Sequence, residues 1–386
     1  MTVTDILCLA YCILFTGMNT RMMIGIFQEW LRDRHYGNPD SACVPPVQVS
    51  VIIPVKNESR RMRGLLRSLL AQDYPAEIIF VNDCSDDESP AMLAEFVRDA
   101  AQKGMDNCTV ITLTENPGPN RKQHALSVGI ARARGDYLLF TDGDCEAPPG
   151  WIRAMVSRMD DESVGAVIGP VFKKKPGRGF FFLYQCYDHA VRYNYLAGTI
   201  GMGAAAGGFG NNLLVRRAAL DAIGGYGAVP PSSTEDAALI SLIRSRRRYR
   251  LRAIALPDAA IETEAEQNRR GFIGQTLRWN NGGLFSPEPM TRFNYNLLML
   301  LTCMGIAALP FLPFFPGLWL LPASVLIVMI ENTIATFGLF RTMLPPGGPL
   351  NLGYLAAMLF TPVYFSLMTV MGYCRVKTQW KGKAAS

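Results

Sequence analysis

The sequence predicts an α/β catalytic domain flanked by membrane-spanning helices. Three observations predict it. Hydrophobic residues make up 49% of the 386-residue chain, more than a soluble enzyme needs, and the excess sits at the N-terminus and in the last quarter. From about Val47 to Phe285 the mixture is that of an ordinary globular protein. Within that stretch, apolar β-prone runs alternate with segments of helical spacing, the pattern of a mostly parallel sheet with functional groups at strand C-terminal ends.

The first element is an apolar stretch, Ile6 to Phe27, long enough to cross a bilayer if Arg21 snorkels to the interface. A secretory signal peptide would need a basic start and a small-residue cleavage site, whereas Asp5 precedes the run and no such site follows. Arg21, Arg32 and Arg34 follow it and no Lys or Arg precedes it, which puts the N-terminus outside and the large domain in the cytoplasm. Pro45-Pro46 closes a polar linker, so residues 1–46 read as anchor and linker.

Strands are expected at Val47–Val55, Glu77–Asn82, Thr109–Thr114 and Tyr137–Thr141, with helices at Arg60–Ala71, Pro90–Ala101 and Lys122–Ala133 between them. Val164 to Leu256 reads as a more mixed region of shorter strands around a glycine-rich loop. The catalytic domain is expected at 47–266, an interfacial amphipathic helix at 267–291 and membrane helices with a basic tail at 292–386. Leu297–Phe315 and Leu318–Phe340 form a hairpin about Pro316-Gly317. Leu350–Val370 contains Pro362 and reads either as a third span or as a segment broken at the proline. A span would place the basic tail outside, against the positive-inside tendency.

The net charge of +6 comes with no basic stretch interleaved with aromatic platforms, so nucleic acid is not the expected partner. Nine cysteines, an odd number without a CxxC pair, read as free thiols in a reducing compartment. No internal repeat suggests a repeat-built transporter.

Phe140-Thr-Asp142-Gly-Asp144 carries the sharpest chemistry. Two carboxylates across a glycine follow a buried apolar strand, and hard oxygen ligands of this kind bind Mg²⁺ or Mn²⁺ shared with substrate phosphates. Such a metal would stabilise a departing diphosphate; an Asp-Gly-Asp turn without metal is the plainer reading. Asp83 ends a strand and can accept a hydrogen bond from the N3–H of a uracil or thymine ring, or serve only to start the next helix, as Asp86 to Glu88 do. Thr234-Glu235-Asp236 reads as a helix cap with acids at its positive end, or supplies a general base. Gln275, Arg278 and Trp279 share one helical face before the membrane hairpin, suited to diphosphate and sugar, and equally to a bilayer interface. Gly201–Asn212 is small and flexible, and Arg244–Arg252 is a basic run facing solvent or lipid head groups.

In this order the segments Val49-Ser-Val-Ile-Ile-Pro-Val-Lys-Asn-Glu58, Val81-Asn-Asp-Cys-Ser-Asp-Asp87, Thr141-Asp-Gly-Asp-Cys145, Thr234-Glu-Asp236 and Gln275-x-x-Arg-Trp279 resemble the family 2 glycosyltransferases. Gly207-Gly-Phe-Gly-Asn-Asn and Gly224-Gly-Tyr are similar to that family's middle segment, and the likeness covers roughly Val47 to Gly283. The resemblance implies a GT-A fold, an inverting transfer, a nucleotide-sugar donor (usually a UDP sugar) and a divalent metal. It places Pro54, Asn57, Glu58, Asp83, Lys122 and Asp142 along the donor, Asp144 with Asp142 at the metal, and Asp236 as base. Glu235, Gln275, Arg278, Trp279, Gly208 and Asn211 fall in the acceptor and diphosphate region. Asn82 departs from the family, many of whose members have a second Asp there. With few membrane segments, one transfer to a lipid or other membrane-associated acceptor is expected; a processive polysaccharide synthase and an inactive membrane scaffold are the alternatives.

Overall fold

The computed structural model describes residues 2–35, 47–118, 120–159, 161–174, 179–204, 207–232, 234–286, 288–341, 344, 348, 350–376, 378–380 and 383–385. Pro45 and Pro46 of the expected linker lie outside them, as do Ala205, Ala206 and parts of the basic tail. In chain order the elements begin with α1 (Val3–His35), β1 (Val49–Val55), α2 (Arg63–Leu70), β2 (Glu77–Asp83), α3 (Ser89–Gln102) and β3 (Cys108–Leu113). Next come α4 (Arg121–Arg132), β4 (Tyr137–Phe140), β5 (Cys145–Glu146), α5 (Trp151–Val156), β6 (Val164–Ile168), β7 (Val171–Lys173) and α6 (Phe180–Gly201). They are followed by β8 (Leu213–Arg216), α7 (Arg217–Ala222), α8 (Glu235–Ser245), β9 (Arg250–Ala253) and β10 (Ile261–Thr263). Helices α9 (Arg269–Leu284), α10 (Pro289–Ala308), α11 (Leu320–Phe340) and α12 (Leu352–Tyr373) complete the main order.

The chain divides into two units. One, the catalytic unit, comprises Glu29–Lys174 and Gly207–Glu264; the other comprises Met1–Gln28, Lys175–Ala206 and Ala265–Ser386. In the catalytic unit a seven-stranded sheet has the order β3-β2-β1-β4-β8-β6-β9, with β5-β10-β7 as a smaller sheet. Strands β3, β2, β1 and β4 are parallel, β8 is antiparallel to both β4 and β6, and β9 is parallel to β6. The chain steps outward from β1 to β3 and returns on the other side of β1, so a topological switch lies between β1 and β4. Ligands of open α/β sheets bind at the strand C-termini of such a switch. Val49, Val51, Ile53 and Val55 of β1 alternate into a core with Leu65 and Leu69 of α2, Phe80, Phe96 and Trp151. Each such side chain contributes about 1.5–3 kcal/mol by leaving water.

The last two turns of α1 also belong to this unit. Asp33 pairs with the Arg158 guanidinium at 2.8 Å and Glu29 with Arg252 at 2.9 Å. The other Asp33 oxygen accepts from the Ala255 amide, and the Glu29 oxygen that meets Arg252 also accepts from the Ala253 amide; all four side chains are buried.

In the second unit α1 and α6 cross with their backbones in contact. A methyl group on Gly25 would stand 2.1 Å from the Gly198 carbonyl oxygen, and one on Gly201 2.0 Å from that of Gly25, the close backbone approach that only glycine allows between two crossing helices. Asn19 joins α1 to α11, donating to Glu331 and accepting from Asn332; Asn194 of α6 donates to Thr336 of α11. Among the described residues four helical stretches are long and apolar enough to cross a membrane: Val3–Arg34, Pro289–Phe311, Pro316–Phe340 and Leu352–Tyr373.

Most sheet elements fall within a residue or two of expectation, and two regions differ. Among the short strands expected between Val164 and Leu256, which are present as β6 to β9, the 22-residue α6 was not expected; Gln185, Asp188, His189, Arg192 and Asn194 interrupt its apolar pattern and hide it. The stretch around Pro362 is one continuous helix with the proline inside it.

Candidate active site

The loops after β1, β2 and β4 are tied together before any ligand is considered. Asn57 adopts a left-handed conformation (φ 53°). Its amide donates to Ser85 Oγ and its side-chain oxygen accepts from the Asp86 amide. The Glu58 amide donates to Ser89 Oγ, and Pro54, the penultimate residue of that loop's strand, lies opposite Val81 of β2. Asp87 accepts from the Ser89 and Ser59 amides. Burial pushes its carboxyl up, but the bonds from Ser89 and Ser59 outweigh this and hold it well below the usual range. Asp87 therefore links loop to loop as well as opening α3, which begins without a side-chain cap from Glu88.

Asp83, at the end of β2, is held on both oxygens: Arg121 donates to each at 3.0 Å and Asn116 to Oδ1 at 2.8 Å. Burial raises its carboxyl, and the Arg121 and Asn116 bonds outweigh that and lower it. Three of roughly four acceptor positions are thus occupied, leaving room for one more donor. Neither Arg121 nor Asn116 stood out in the sequence; the signal for Arg121 was its place beside Lys122 at the start of a helix.

Asp142 and Asp144 flank the turn after β4, closed by the Cys145 amide donating to the Asp142 carbonyl. A side chain at Gly143 would stand 3.0 Å from Glu58 Cγ, so glycine lets the two loops meet. Lys122 Nζ lies 2.7 Å from Asp142 and 3.5 Å from Glu235. Burial would depress its ammonium, but the Asp142 and Glu235 carboxylates raise it, so it stays charged. Arg61, also unnoticed in the sequence, bridges Glu58 at 2.6 Å and Asp144 at 3.1 Å.

Asp236 faces this group from α8. Its Oδ2 accepts from the Gly210 amide at 2.7 Å and its Oδ1 from the Ala237 amide at 2.8 Å. Thr234, expected as the cap of α8, makes no side-chain cap bond; its neighbour Ser232 engages its amide instead. Burial, reinforced by the Glu235 charge, pushes Asp236 up to about 6, against the lowering effect of Lys122. A carboxyl tuned this way can accept a proton near neutral pH. Gly208 and Gly210 make room: a methyl on Gly208 would collide with Ile240, and one on Gly210 would stand 2.9 Å from Asp236 Cβ. Asn211 donates to Cys145 Sγ, and Asn212 binds the Trp151 indole N–H and the Pro170 and Ala259 carbonyls.

The catalytic unit thus gathers Pro54, Asn57, Glu58, Asp83, Lys122, Asp142, Asp144, Gly208, Asn211, Glu235 and Asp236. Gln275, Arg278 and Trp279 lie on α9 of the other unit. Among the described residues no three His, Cys, Asp or Glu side chains form a metal cage. Asp142 and Asp144 each give one carboxylate oxygen to a cationic side chain, Lys122 and Arg61; a hard cation such as Mg²⁺ commonly takes only one or two carboxylates and completes its shell with phosphate oxygens and water.

Residues 50–224 match the family described as glycosyl transferase family 2. Over 128 residues, 31% of this chain, the sequence is 34% identical to the undecaprenyl-phosphate 4-deoxy-4-formamido-L-arabinose transferase of an Enterobacter species, covering 36% of it. Over 63% of this chain it is 25% identical to the beta-monoglucosyldiacylglycerol synthase of a Synechocystis species, covering 49% of that relative. The matches therefore span about one third to one half of these relatives. The mannosyltransferase PcManGT from Pyrobaculum calidifontis, solved with GDP-Man and Mn²⁺, superposes with a TM-score of 0.56 at 18% identity, covering 97% of this chain and 100% of that one. At that identity the likeness concerns the fold, which is GT-A.

Proposed function

We propose, from the premise that this chain is a family 2 glycosyltransferase, that it moves one sugar from a nucleotide donor to a lipid acceptor with inversion. The observation that carries the reading is the convergence of Asp142, Glu235 and Asp236, from two distant segments, on Lys122. In the proposed reaction the acceptor hydroxyl or phosphate oxygen attacks the anomeric carbon. A bond forms between that oxygen and the carbon while the bond from the carbon to the diphosphate breaks. Asp236 takes the proton of a hydroxyl acceptor, and the nucleoside diphosphate leaves with the electron pair. Asp83 receives the base, and Lys122 holds Asp142 and Glu235 in place. Asp142 and Asp144 would hold Mg²⁺ or Mn²⁺, whose charge would stabilise the leaving diphosphate. Gln275, Arg278 and Trp279 keep the acceptor and diphosphate roles that the family resemblance implies for them.

The relatives support a lipid acceptor, one being named for undecaprenyl phosphate and another for diacylglycerol. A UDP sugar as donor, several membrane crossings and a cytoplasmic catalytic unit complete the reading. The test is transfer by the purified protein in lipid extract, with a panel of UDP- and GDP-sugars and with Mn²⁺ or EDTA. Metal-dependent labelling of an extractable lipid is expected, abolished by Asp144→Ala and by Asp236→Ala. Label in an insoluble product that lengthens with time would instead establish a processive synthase. Full activity in either variant would overturn the assignment of that residue.

A further inference from the structure

Helix α12 is long and apolar enough to cross a bilayer, yet its contacts within its own unit run the other way. Helices α10 and α11 form an antiparallel hairpin: a methyl on Gly305 would meet the Val325 side chain and the Leu321 carbonyl oxygen, close to the turn. Tyr354, near the start of α12, packs edge-on against Phe337 of α11 at 4.8 Å. Tyr373, its last residue, donates to Asn296 of α10. Phe337 lies about 26 Å along α11 from the turn, and Asn296 about 18 Å along α10 from it. The two ends of α12, about 28 Å apart, thus differ in level by only about 8 Å. A helix crossing beside the hairpin would change level by nearly its whole length.

Helices α6 and α9 lie at the same level. Asn332 of α11 donates to Asn19 of α1, which sets those two helices side by side. Helix α6 meets α11 through Asn194 and Thr336 and meets α1 at Gly25, both near the open end of the hairpin. Thr276 of α9 lies 2.5 Å from the Tyr364 hydroxyl of α12, and a methyl on Gly372 would stand 2.5 Å from Asn281 of α9. Beyond α12, residues 378–380 also lie against α9.

The two faces of α12 differ in chemistry. Tyr354, Thr361, Tyr364 and Thr369 are buried, whereas Leu352, Leu359, Val363, Leu367 and Val370 are exposed and share one face by their spacing. No charged residue lies between Leu352 and Tyr373. An uncharged apolar face of that length suits acyl chains.

We propose that α12 lies within one leaflet, across the open end of the hairpin, with that face against acyl chains. It ends on the side of the membrane where it begins, so Arg375, Lys377, Lys381 and Lys383 stay on the side from which α10 starts. The conflict between a third span and the positive-inside tendency then disappears. The inference rests on reading the hairpin as membrane-spanning.

The test uses the full chain in nanodiscs, its reactive native cysteines replaced by serine, with a nitroxide placed singly at Leu352→Cys, Leu359→Cys or Val370→Cys. Depth is read by power saturation with oxygen and a nickel chelate. All three labels are expected to meet oxygen dissolved in lipid, at depths within about 8 Å of one another. A separation of about 27 Å between the first and the last would mean that α12 spans, and would overturn the proposal. Labels that oxygen does not reach would overturn it too, since protein would then cover the face. Ile327→Cys and Ile334→Cys, exposed on α11, should differ in depth by about 10 Å. Equal depths there would show that the hairpin does not cross, and the membrane reading would fall together with the proposal. A second measurement leaves α12 unchanged. In sealed vesicles an impermeant maleimide should reach Cys374, exposed in the native chain, from the same side as Gln267→Cys, with Cys374→Ser identifying the signal. Labelling from opposite sides would overturn the proposal.

Discussion

Asp236 has both oxygens held by backbone amides, one from its own helix and one from the glycine loop, so its orientation does not depend on substrate. Its proton affinity does depend on its neighbours. With a carboxyl at about 6, kcat/KM should fall as pH drops through that value, since only the ionised form accepts a proton. The same shift acts oppositely on stability. A carboxyl raised from the ordinary range near 4 favours the fold below that range, and the contribution is lost as pH rises through about 6. Lys122 lowers the Asp236 carboxyl, so Lys122→Met should move the acid limb of the rate profile above 6 as well as slow the enzyme. A limb that stays in place would show that another group sets it. Asp236→Asn should cost about 10²–10⁴ in kcat, with circular dichroism unchanged. The carboxylates were readable because each follows an apolar strand or opens an apolar helix. Arg61 and Arg121 were not, since nothing local separates a pairing arginine from a solvated one.

The glycine segment before β8 acts as a mould for Asp236. Gly210→Ala would put a methyl within 3.0 Å of the Asp236 carboxylate and displace it, and should lower kcat at least tenfold with a small change in Tm. Gly227→Ala, where nothing lies within 4 Å, is the matched control and should leave kcat alone. Equal losses in both would mean that loop stiffness, not the fit to Asp236, is what matters. The strands at β1 to β4 were legible because buried parallel strands are continuous apolar runs. Helix α6 was not, because it buries His189 and Asn194 against partners far away in sequence and Asp188 against Arg192 one turn on. An apolar-pattern reading counts such residues as surface. Its crossing with α1 depends on Gly25, Gly198 and Gly201, whose spacing means little until the other helix is in view.

The ion pairs at the end of α1 act at the scale of the whole chain, since Glu29 and Asp33 meet Arg252 and Arg158 across more than a hundred residues. Breaking one pair leaves a buried charge uncompensated, at a cost of about 3–5 kcal/mol. Arg252→Leu alone should therefore lower the Tm of the full chain clearly, and Glu29→Leu added to it should restore much of the loss. Additive losses in thermal unfolding would show that packing, not charge pairing, is what the site contributes. None of this was visible in the sequence, where Asp33 and Glu29 look like the polar end of an anchor. The same four residues decide where the polypeptide can be cut. A fragment beginning at the first strand, the natural choice for a water-soluble enzyme, would keep both arginines and discard both carboxylates. The smallest piece that keeps both pairs starts before Glu29, and so carries the last two turns of α1 with it.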